Sequence, residues 1–210
     1  MKGLCLSMLY TAKKSLITYF IVSIVVSLFM ALTSPLISCF ISMLFLISPI
    51  SDNLKHEKES KWMYYVSTLP TGRNLYIKSY FLLNCILIVI GLVIGTVSLT
   101  IINHNLNIII ASALIGIGAA GTYAVAFPLT FKFGPENSNA VLTTTVLIVM
   151  LFYFIVVFAF VFPGMGGADN IENVLTPFNQ VVLIIYALFG IMTTVISYIL
   201  SIKIFNKQDL

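Results

Sequence analysis

Long apolar runs without charge dominate the hydrophobic pattern of this chain. Four stretches contain no Asp, Glu, Lys or Arg, and they cover Ser15–Ser51, Ser79–Phe131, Asn137–Ala168 and Asn173–Ile202. About 20 apolar residues are enough for a helix to cross the hydrocarbon core of a membrane. The pattern therefore predicts an integral membrane protein built from helices, and the first two stretches are long enough for two crossings each.

Both long stretches contain a turn signal near their middle. Thr33-Ser34-Pro35 interrupts the first, because proline removes a backbone donor and restricts the residue before it. The polar segment Asn103–Asn107 interrupts the second. We therefore predict an all-α fold with six membrane-spanning helices, at about 15–33, 35–51, 80–102, 108–131, 140–162 and 180–202.

The positions of the cations predict the orientation. With six crossings, every Lys and Arg falls on one side of the membrane, whereas the loops on the opposite side hold His104, Asp169 and Glu172. An excess of Lys and Arg marks the cytoplasmic loops of membrane proteins. Both termini are therefore predicted in the cytoplasm, with the chain in the cell membrane.

Composition argues against several classes of protein. Hydrophobic residues make up 60% of the chain and charged residues 9%, whereas a soluble domain carries about 25% charged residues. Cys5, Cys39 and Cys85 lie far apart, so they suggest neither a disulfide framework nor a metal site. The predicted spans contain no Asp, Glu, Lys, Arg or His. This argues against intramembrane catalysis and ion-coupled transport, because both place ionisable groups within the membrane.

Several glycine motifs need an interpretation. The chain contains no G-x-x-x-x-G-K-[ST] sequence, so we do not expect it to hold ATP phosphates itself. Gly116–Gly121 reads G-x-G-x-x-G, but it lies inside a predicted span, where glycines serve close helix packing. Gly91 and Gly95 form a G-x-x-x-G motif, which also predicts close helix packing. A subunit interface is one place where this packing would occur.

Polar residues inside the predicted spans are expected to bond between helices. They are Asn84, Thr96, Thr143, Thr144, Thr145, Thr193 and Thr194.

The largest concentration of charge lies in the segment Ser51–Tyr80. Its first half has helix-forming residues, and Trp62 suits the headgroup level of a membrane. Pro70 and Gly72 predict a turn before the third span. The segment is either a solvated connector with ion pairs along a helix or a docking element for a cytoplasmic partner.

This segment resembles the corresponding loop of the ABC-2 type permeases. The resemblance rests on Glu57, Glu59 and Trp62, on Leu69-Pro70-Thr71-Gly72-Arg73, and on Lys78-Ser79-Tyr80. An amphipathic N-terminal helix over 1–14 and the segment Phe131–Glu136 are further similarities. Chain size and loop lengths look most like permeases that export amphipathic peptides from Gram-positive bacteria, with the phenol-soluble modulin exporters as the closest group.

The resemblance implies a transport subunit that is not itself an enzyme and holds no cofactor. ATP and Mg would bind a separate ATPase, expected in two copies, and a second permease subunit would complete a homodimer. Membrane lipid and an amphipathic peptide are the other implied partners; no nucleic acid is expected. Segment 52–79 would supply the coupling helix, and the implied ATPase-coupling residues are Glu57, Glu59, Trp62, Leu69, Pro70, Thr71, Gly72, Arg73, Lys132 and Glu136.

Alternatives of other kinds stay open at the sequence level. An ATP-independent immunity-type membrane protein would bind a toxin or partner without moving it. An ABC exporter of lipid-like or drug-like molecules would suit the same charge-free spans. An ion-coupled carrier needs a mid-membrane charge, which the predicted spans lack.

Overall fold

The computed structural model describes residues 2–68, 72–134, 137–164 and 174–207, and the regular elements in these ranges are all helical. A 3₁₀ turn covers Pro35–Ile37, and a π-helical segment, Val156–Val161, directly follows α8. The α-helices are α1 (Lys2–Thr11), α2 (Lys13–Thr33), α3 (Ser38–Glu59), α4 (Trp62–Thr68), α5 (Gly72–Ile102), α6 (Leu106–Tyr123), α7 (Ala126–Phe133), α8 (Ser138–Ile155), α9 (Phe162–Gly164) and α10 (Pro177–Lys207).

Six helical segments among the described residues are long and apolar enough to cross a membrane. We number them spans 1 to 6, and they are Lys13–Thr33, Pro35–Leu54, Gly72–Ile102, Leu106–Phe133, Asn139–Val161 and Pro177–Lys207. The prediction of an all-α membrane fold with six spans is confirmed. The chain is a multi-pass membrane protein.

The two turns inside the long apolar stretches have distinct local causes. Helix α2 ends at Thr33, and Pro35 opens the following 3₁₀ turn, because its ring is compatible with the first turn of a helix but not with the interior. Asn105 caps α6, since its side chain accepts a hydrogen bond of 3.0 Å from the backbone N–H of Asn107.

Spans 2, 3, 4 and 6 differ from their predicted extents, and span 6 runs over Pro177–Lys207 instead of 180–202. Helix α3 continues through Pro49 to Glu59, and α5 already begins at Gly72, so much of segment 52–79 is helical and prolongs the two spans. Pro49 cannot donate a backbone hydrogen bond, which destabilises the helix at this point. Packing of its neighbours Leu46 and Ile50, which are both buried, compensates for this loss. Span 4 consists of α6 and α7 with a turn between them.

The glycines of spans 3 and 4 pack helices within one chain. A Cβ on Gly95 would lie 2.7 Å from the Cα of Cys39, and one on Gly91 would lie equally close to the Cα of Met43, so α5 touches the backbone of α3. Gly121 of α6 meets the backbone of Gly190 in α10 in the same way. Helix packing is thus the role of these glycines, and the contact of Gly91 and Gly95 is internal rather than at a subunit interface.

Buried serines, rather than the predicted threonines, supply most of the hydrogen bonds that cross between spans. Ser42 Oγ donates to the carbonyl of Gly91 at 2.7 Å, Ser23 Oγ donates to the carbonyl of Ser42 at 3.1 Å, and Ser27 shares a 2.8 Å bond with Ser98. Carbonyls of their own helix accept the hydroxyls of Thr96, Thr143, Thr144, Thr145 and Thr193. Thr194 does the same and also reaches across to the carbonyl of Gly121 at 3.4 Å.

The core has two main parts, one toward each end of the bundle. The first joins α3, α6, α8 and α10 around residues such as Phe40, Ile115 and Tyr153. The second joins α1, α3, α4, α5, α7 and α10 around residues such as Leu54 and Tyr76. We call the end with the second part the basic end, because the cations at the helix ends there include Lys13, Lys14, Arg73, Lys78, Lys132 and Lys203.

Candidate functional site: a buried carboxyl at the basic end

A carboxyl group lies buried at the basic end, between the end of α3 and the start of α5. Glu57 is 5% exposed. Its Oε2 accepts a hydrogen bond from the Tyr76 hydroxyl at 2.5 Å, and its Oε1 accepts one from Asn53 Nδ2 at 3.0 Å. Asn53 Nδ2 also donates to the Tyr80 hydroxyl oxygen at 3.4 Å. We call these four residues the Glu57 cluster.

Helix geometry explains how the cluster assembles. Asn53 and Glu57 are four residues apart on α3, and Tyr76 and Tyr80 are four residues apart on α5. Residues at this spacing lie on one face of a helix. The two helices face each other over these pairs, because α5 packs closely on α3 through Gly91 and Gly95 further along. Each helix therefore contributes two members to one polar site.

The cluster perturbs the acidity of its carboxyl group. Burial raises the pKa of Glu57, because the charged form loses contact with water. The hydrogen bonds from Tyr76, Tyr80 and Asn53 act in the opposite direction and are the smaller effect. Glu57 therefore takes up a proton at a higher pH than an exposed glutamate.

Aromatic contacts tie the cluster to two further helices. The Tyr76 ring stacks on that of Phe205 in α10, with centroids 5.6 Å apart, and meets the Tyr80 ring edge-on at 5.0 Å. Phe205 also meets Phe131 of α7 at 5.4 Å. The ends of α3, α5, α7 and α10 are thus joined around one buried tyrosine, and pairs of this kind add about 0.5–1.5 kcal/mol each beyond burial.

Polar contacts reinforce the connection between α5 and α10. Arg73 Nη1 donates a hydrogen bond of 3.4 Å to the carbonyl oxygen of Asn206. The side chain of Asn206 donates in turn to Asn74 Oδ1 at 3.0 Å. The first turn of α5 is therefore attached to the last turn of α10.

Helix α4 packs into the core part at the basic end that also contains the two tyrosines of the cluster. Met63 and Val66 are buried in the core there, and the rings of Trp62 and Tyr65 contact each other with centroids 5.4 Å apart. Tyr65 is 58% exposed. Lys61 connects α3 to α4 with a positive φ of 57°, a conformation that a lysine seldom adopts. Helix α4 thus has one buried face and one exposed face.

The residues implied by the resemblance occupy three kinds of position. Glu57 and Gly72 are buried. Glu57 therefore joins α3 to α5 by hydrogen bonds and is not an exposed contact residue. Trp62 and Arg73 are half-buried around α4 and the start of α5, and Lys132 is exposed with its Nζ 5.6 Å from the ring centroid of Phe133. Glu59 ends α3. Outside the described residues lie Leu69, Pro70, Thr71 and Glu136.

The sequence interpretation missed four residues that build the site: Asn53, Tyr76, Tyr80 and Phe205. A signal for three of them was present, because Asn53 with Glu57 and Tyr76 with Tyr80 are polar pairs at a spacing of four in helical segments. Phe205 had no such signal, since its contact spans 129 residues of the chain.

Six helices of the described residues are long and apolar enough to cross a membrane, and the basic end carries a charged helical segment, so the chain is of the multi-pass membrane class. The match to a family model is specific. Residues 3–206 match the model described as ABC-2 family transporter protein, so the chain belongs to the ABC-2 transporter family. This makes it the membrane permease subunit of an ABC transporter. Neither the curated proteins nor the solved structures gave a match to the chain.

Proposed function

We propose that this permease exports amphipathic peptides from the cell, using ATP that a separate subunit hydrolyses. Two copies of the chain would form the membrane part, and two ATPase subunits would dock on its basic end. By the distribution of cations, the basic end and both termini face the cytoplasm. ABC-2 family membership supports an ATPase partner in general.

The observation that carries the proposal is the hydrogen bond between Glu57 and Tyr76. It joins the ends of the two helices that α4 connects in the chain, and Tyr76 stacks on α10 as well. A push on the open face of α4 would therefore reach spans 2, 3 and 6 together. This arrangement suits a subunit that receives mechanical work at one end and uses it in the membrane.

The open face of α4 is the proposed docking surface. Tyr65 is exposed next to Trp62, and aromatic side chains are enriched among the anchors of protein interfaces. Lys61 and Thr68 are exposed at the two ends of the same short helix. Glu57 acts behind this surface as a positioning residue, because its carboxylate is enclosed by the chain.

The nature of the cargo follows from the spans. Away from their ends at the basic side, the spans contain no charged side chain, so a cargo with an apolar face loses little hydration on entering. An apolar groove of about 390 Å³ also opens between the turn at Pro35 and the π-helical segment, where Tyr153 and Phe158 line it. An amphipathic peptide suits these surfaces, and lipid-like or drug-like molecules are the alternative cargo.

Copurification with an ATPase tests the docking step. If the adjacent reading frame encodes a P-loop ATPase, the full chain, tagged and expressed with it, should retain that ATPase through purification in mild detergent. Tyr65→Ala should weaken retention at least tenfold, because an aromatic anchor contributes about 2 kcal/mol or more. Phe178→Ala, which truncates an equally exposed aromatic at the opposite end, should leave retention unchanged.

The competing functions make different predictions in the same system. If no ATPase is retained and cells lacking it keep the protein's function, the chain acts as an ATP-independent binding or immunity protein. If an ATPase is retained but amphipathic peptides do not stimulate ATP hydrolysis in reconstituted vesicles while apolar small molecules do, the cargo assignment is wrong and the docking proposal stands.

A further inference from the structure

Two cavities lie on either side of the corner between α1 and α2, and the proposed function uses neither. The first is polar, encloses about 450 Å³ and lies between α2, α3 and the start of α8. Its lining combines both signs of charge with neutral hydrogen-bonding groups, and includes Lys14, Ser15, Asp52, Asn53, His56 and Asn139. We call it the corner pocket.

The second cavity is an apolar groove of about 390 Å³ on the other side of the same corner. Its walls come from both helices, and one cation stands among them; the residues are Leu6, Leu9, Tyr10, Lys13, Leu16 and Ile17. Successive residues on a helix point about 100° apart. The adjacent Lys13 and Lys14 thus line different cavities, one apolar and one polar.

Both cavities lie at the level where the apolar spans end. Span 1 begins at Lys13, span 2 ends at Leu54 and span 5 begins at Asn139. Lipid headgroups occupy this level of a membrane, outside the hydrocarbon core. Tyr10 is 72% exposed and Ile17 is 53% exposed beside the corner, so the groove is open to surrounding acyl chains.

We propose that the corner pocket and the groove together form a binding site for one phospholipid. The phosphate lies near Lys14. The part of one acyl chain that is closest to the glycerol occupies the groove beside Lys13. The headgroup beyond the phosphate carries hydrogen-bond donors, either hydroxyl or ammonium groups, which the Asp52 carboxylate accepts. Both cations and the carboxylate then have partners, and the exposed apolar side chains of the groove are covered.

The pairing of a polar and an apolar cavity favours a lipid over a free phosphate compound. A soluble phosphate ester would fill the corner pocket but leave the groove with Leu9 and Tyr10 uncovered. A lipid occupies both, because its phosphate suits the polar lining of the corner pocket and its acyl chain suits the apolar walls of the groove. The site therefore selects a ligand with a polar head and an apolar tail.

Asn53 connects the site to the rest of the basic end. It lines the corner pocket and also holds Glu57 Oε1 through its amide nitrogen at 3.0 Å. A headgroup in the pocket thus lies next to the Glu57 cluster. The lipid site depends on neither the cargo nor the ATPase. A failure of the proposed function would therefore not contradict lipid binding.

Native mass spectrometry of the full chain, released from detergent with equimolar phosphatidylglycerol, phosphatidylethanolamine and phosphatidylcholine, tests the site. We expect one retained lipid per chain, with a donor-bearing headgroup at least about fivefold over phosphatidylcholine, whose headgroup has no donor. Lys14→Gln should lower retention about fivefold, the factor expected for one lysine near a membrane surface. Lys203→Gln, which removes a lysine at the same end but away from both cavities, should retain lipid like the natural chain.

A second variant keeps the test decisive if Lys14→Gln does not fold. Asp52→Ala should retain lipid but lose the preference for donor-bearing headgroups over phosphatidylcholine. The proposal is overturned if phosphatidylcholine is retained as well as the other two, or if Lys203→Gln and Lys14→Gln weaken retention equally. It is also overturned if millimolar glycerol phosphate displaces the lipid, because the site would then recognise a soluble phosphate ester.

Discussion

The hydroxyl of Tyr76 donates a 2.5 Å hydrogen bond to Oε2 of Glu57, and both side chains are buried. This contact closes the helical hairpin formed by α3, α4 and α5 at the basic end. A carboxyl group enclosed in this way depends on its donors, because water cannot replace them.

Removing the donor should destabilise the protein. Tyr76→Phe leaves an acceptor of Glu57 without its partner, which costs about 1–3 kcal/mol for a buried group. Thermal unfolding of the purified chain in detergent measures the change. Tyr65→Phe removes the same hydroxyl from an exposed ring and should leave the stability unchanged. An equal loss of stability in both variants would show that the buried hydrogen bond contributes no more than an exposed hydroxyl.

The raised pKa of Glu57 predicts a pH dependence of stability. Because the folded-state pKa lies above the unfolded value, the folded protein binds the proton more tightly. The stabilisation is fully present below about pH 4.3, the ordinary glutamate pKa, and is lost as pH rises through the folded-state pKa. Glu57→Gln keeps a hydrogen-bonding side chain but cannot titrate, so its unfolding temperature should fall less than that of the natural chain over this window.

The close contact between α5 and α3 should not tolerate even a methyl group. Gly95→Ala places a Cβ 2.7 Å from the Cα of Cys39, where the obstacle is backbone and not a movable side chain. We expect a loss of about 1–3 kcal/mol, the range for overpacked cores. Gly3→Ala is the control, since no described atom lies within 4 Å of its added Cβ. Unchanged unfolding of Gly95→Ala would mean that the two helices are further apart.

A buried amide of span 3 should reduce the stability of the chain. Asn84 is 1% exposed, and within the described residues neither its Oδ1 nor its Nδ2 has a hydrogen-bond partner. Asn84→Leu should therefore be neutral or stabilising, by up to about 1–3 kcal/mol. Asn179→Leu should do the reverse, because Asn179 Nδ2 donates to the carbonyls of Val161 and Val174. Destabilisation by Asn84→Leu would instead reveal that the amide has a partner in the assembled transporter.

The predicted orientation can be measured by cysteine labelling. In a background where Cys5, Cys39 and Cys85 are replaced by alanine, His104→Cys should react with an impermeant maleimide on intact cells. Lys203→Cys, at the basic end, should react only after permeabilisation. The opposite pattern would place the basic end outside and would contradict docking of a cytoplasmic ATPase there.

The sequence predicts the spans well and the site poorly, for physical reasons. The turn at Pro35 and the cap at Asn105 depend on local backbone chemistry, which a few neighbouring residues determine. The burial of Glu57 depends on Tyr76, 19 residues later, and on Phe205, which stacks on that tyrosine from the last helix. A glutamate in a charged, helix-forming segment looks like a surface residue until those rings are placed. For the same reason, the serines that bond between spans could not be told from the threonines that bond within one helix.

The length of α5 has a mechanical consequence. Its 31 residues at about 1.5 Å each make a rod of roughly 46 Å, whereas the hydrocarbon core is about 30 Å thick. Even with the usual tilt of about 20°, roughly 14 Å of this rod must stand clear of the core. Tyr76 lies in the first two turns of the rod, so the buried carboxyl that it binds lies at the polar end of α5. In the proposed coupling, this protruding part would act as a lever arm, and a small displacement at its tip would become a rotation of the helix in the bilayer.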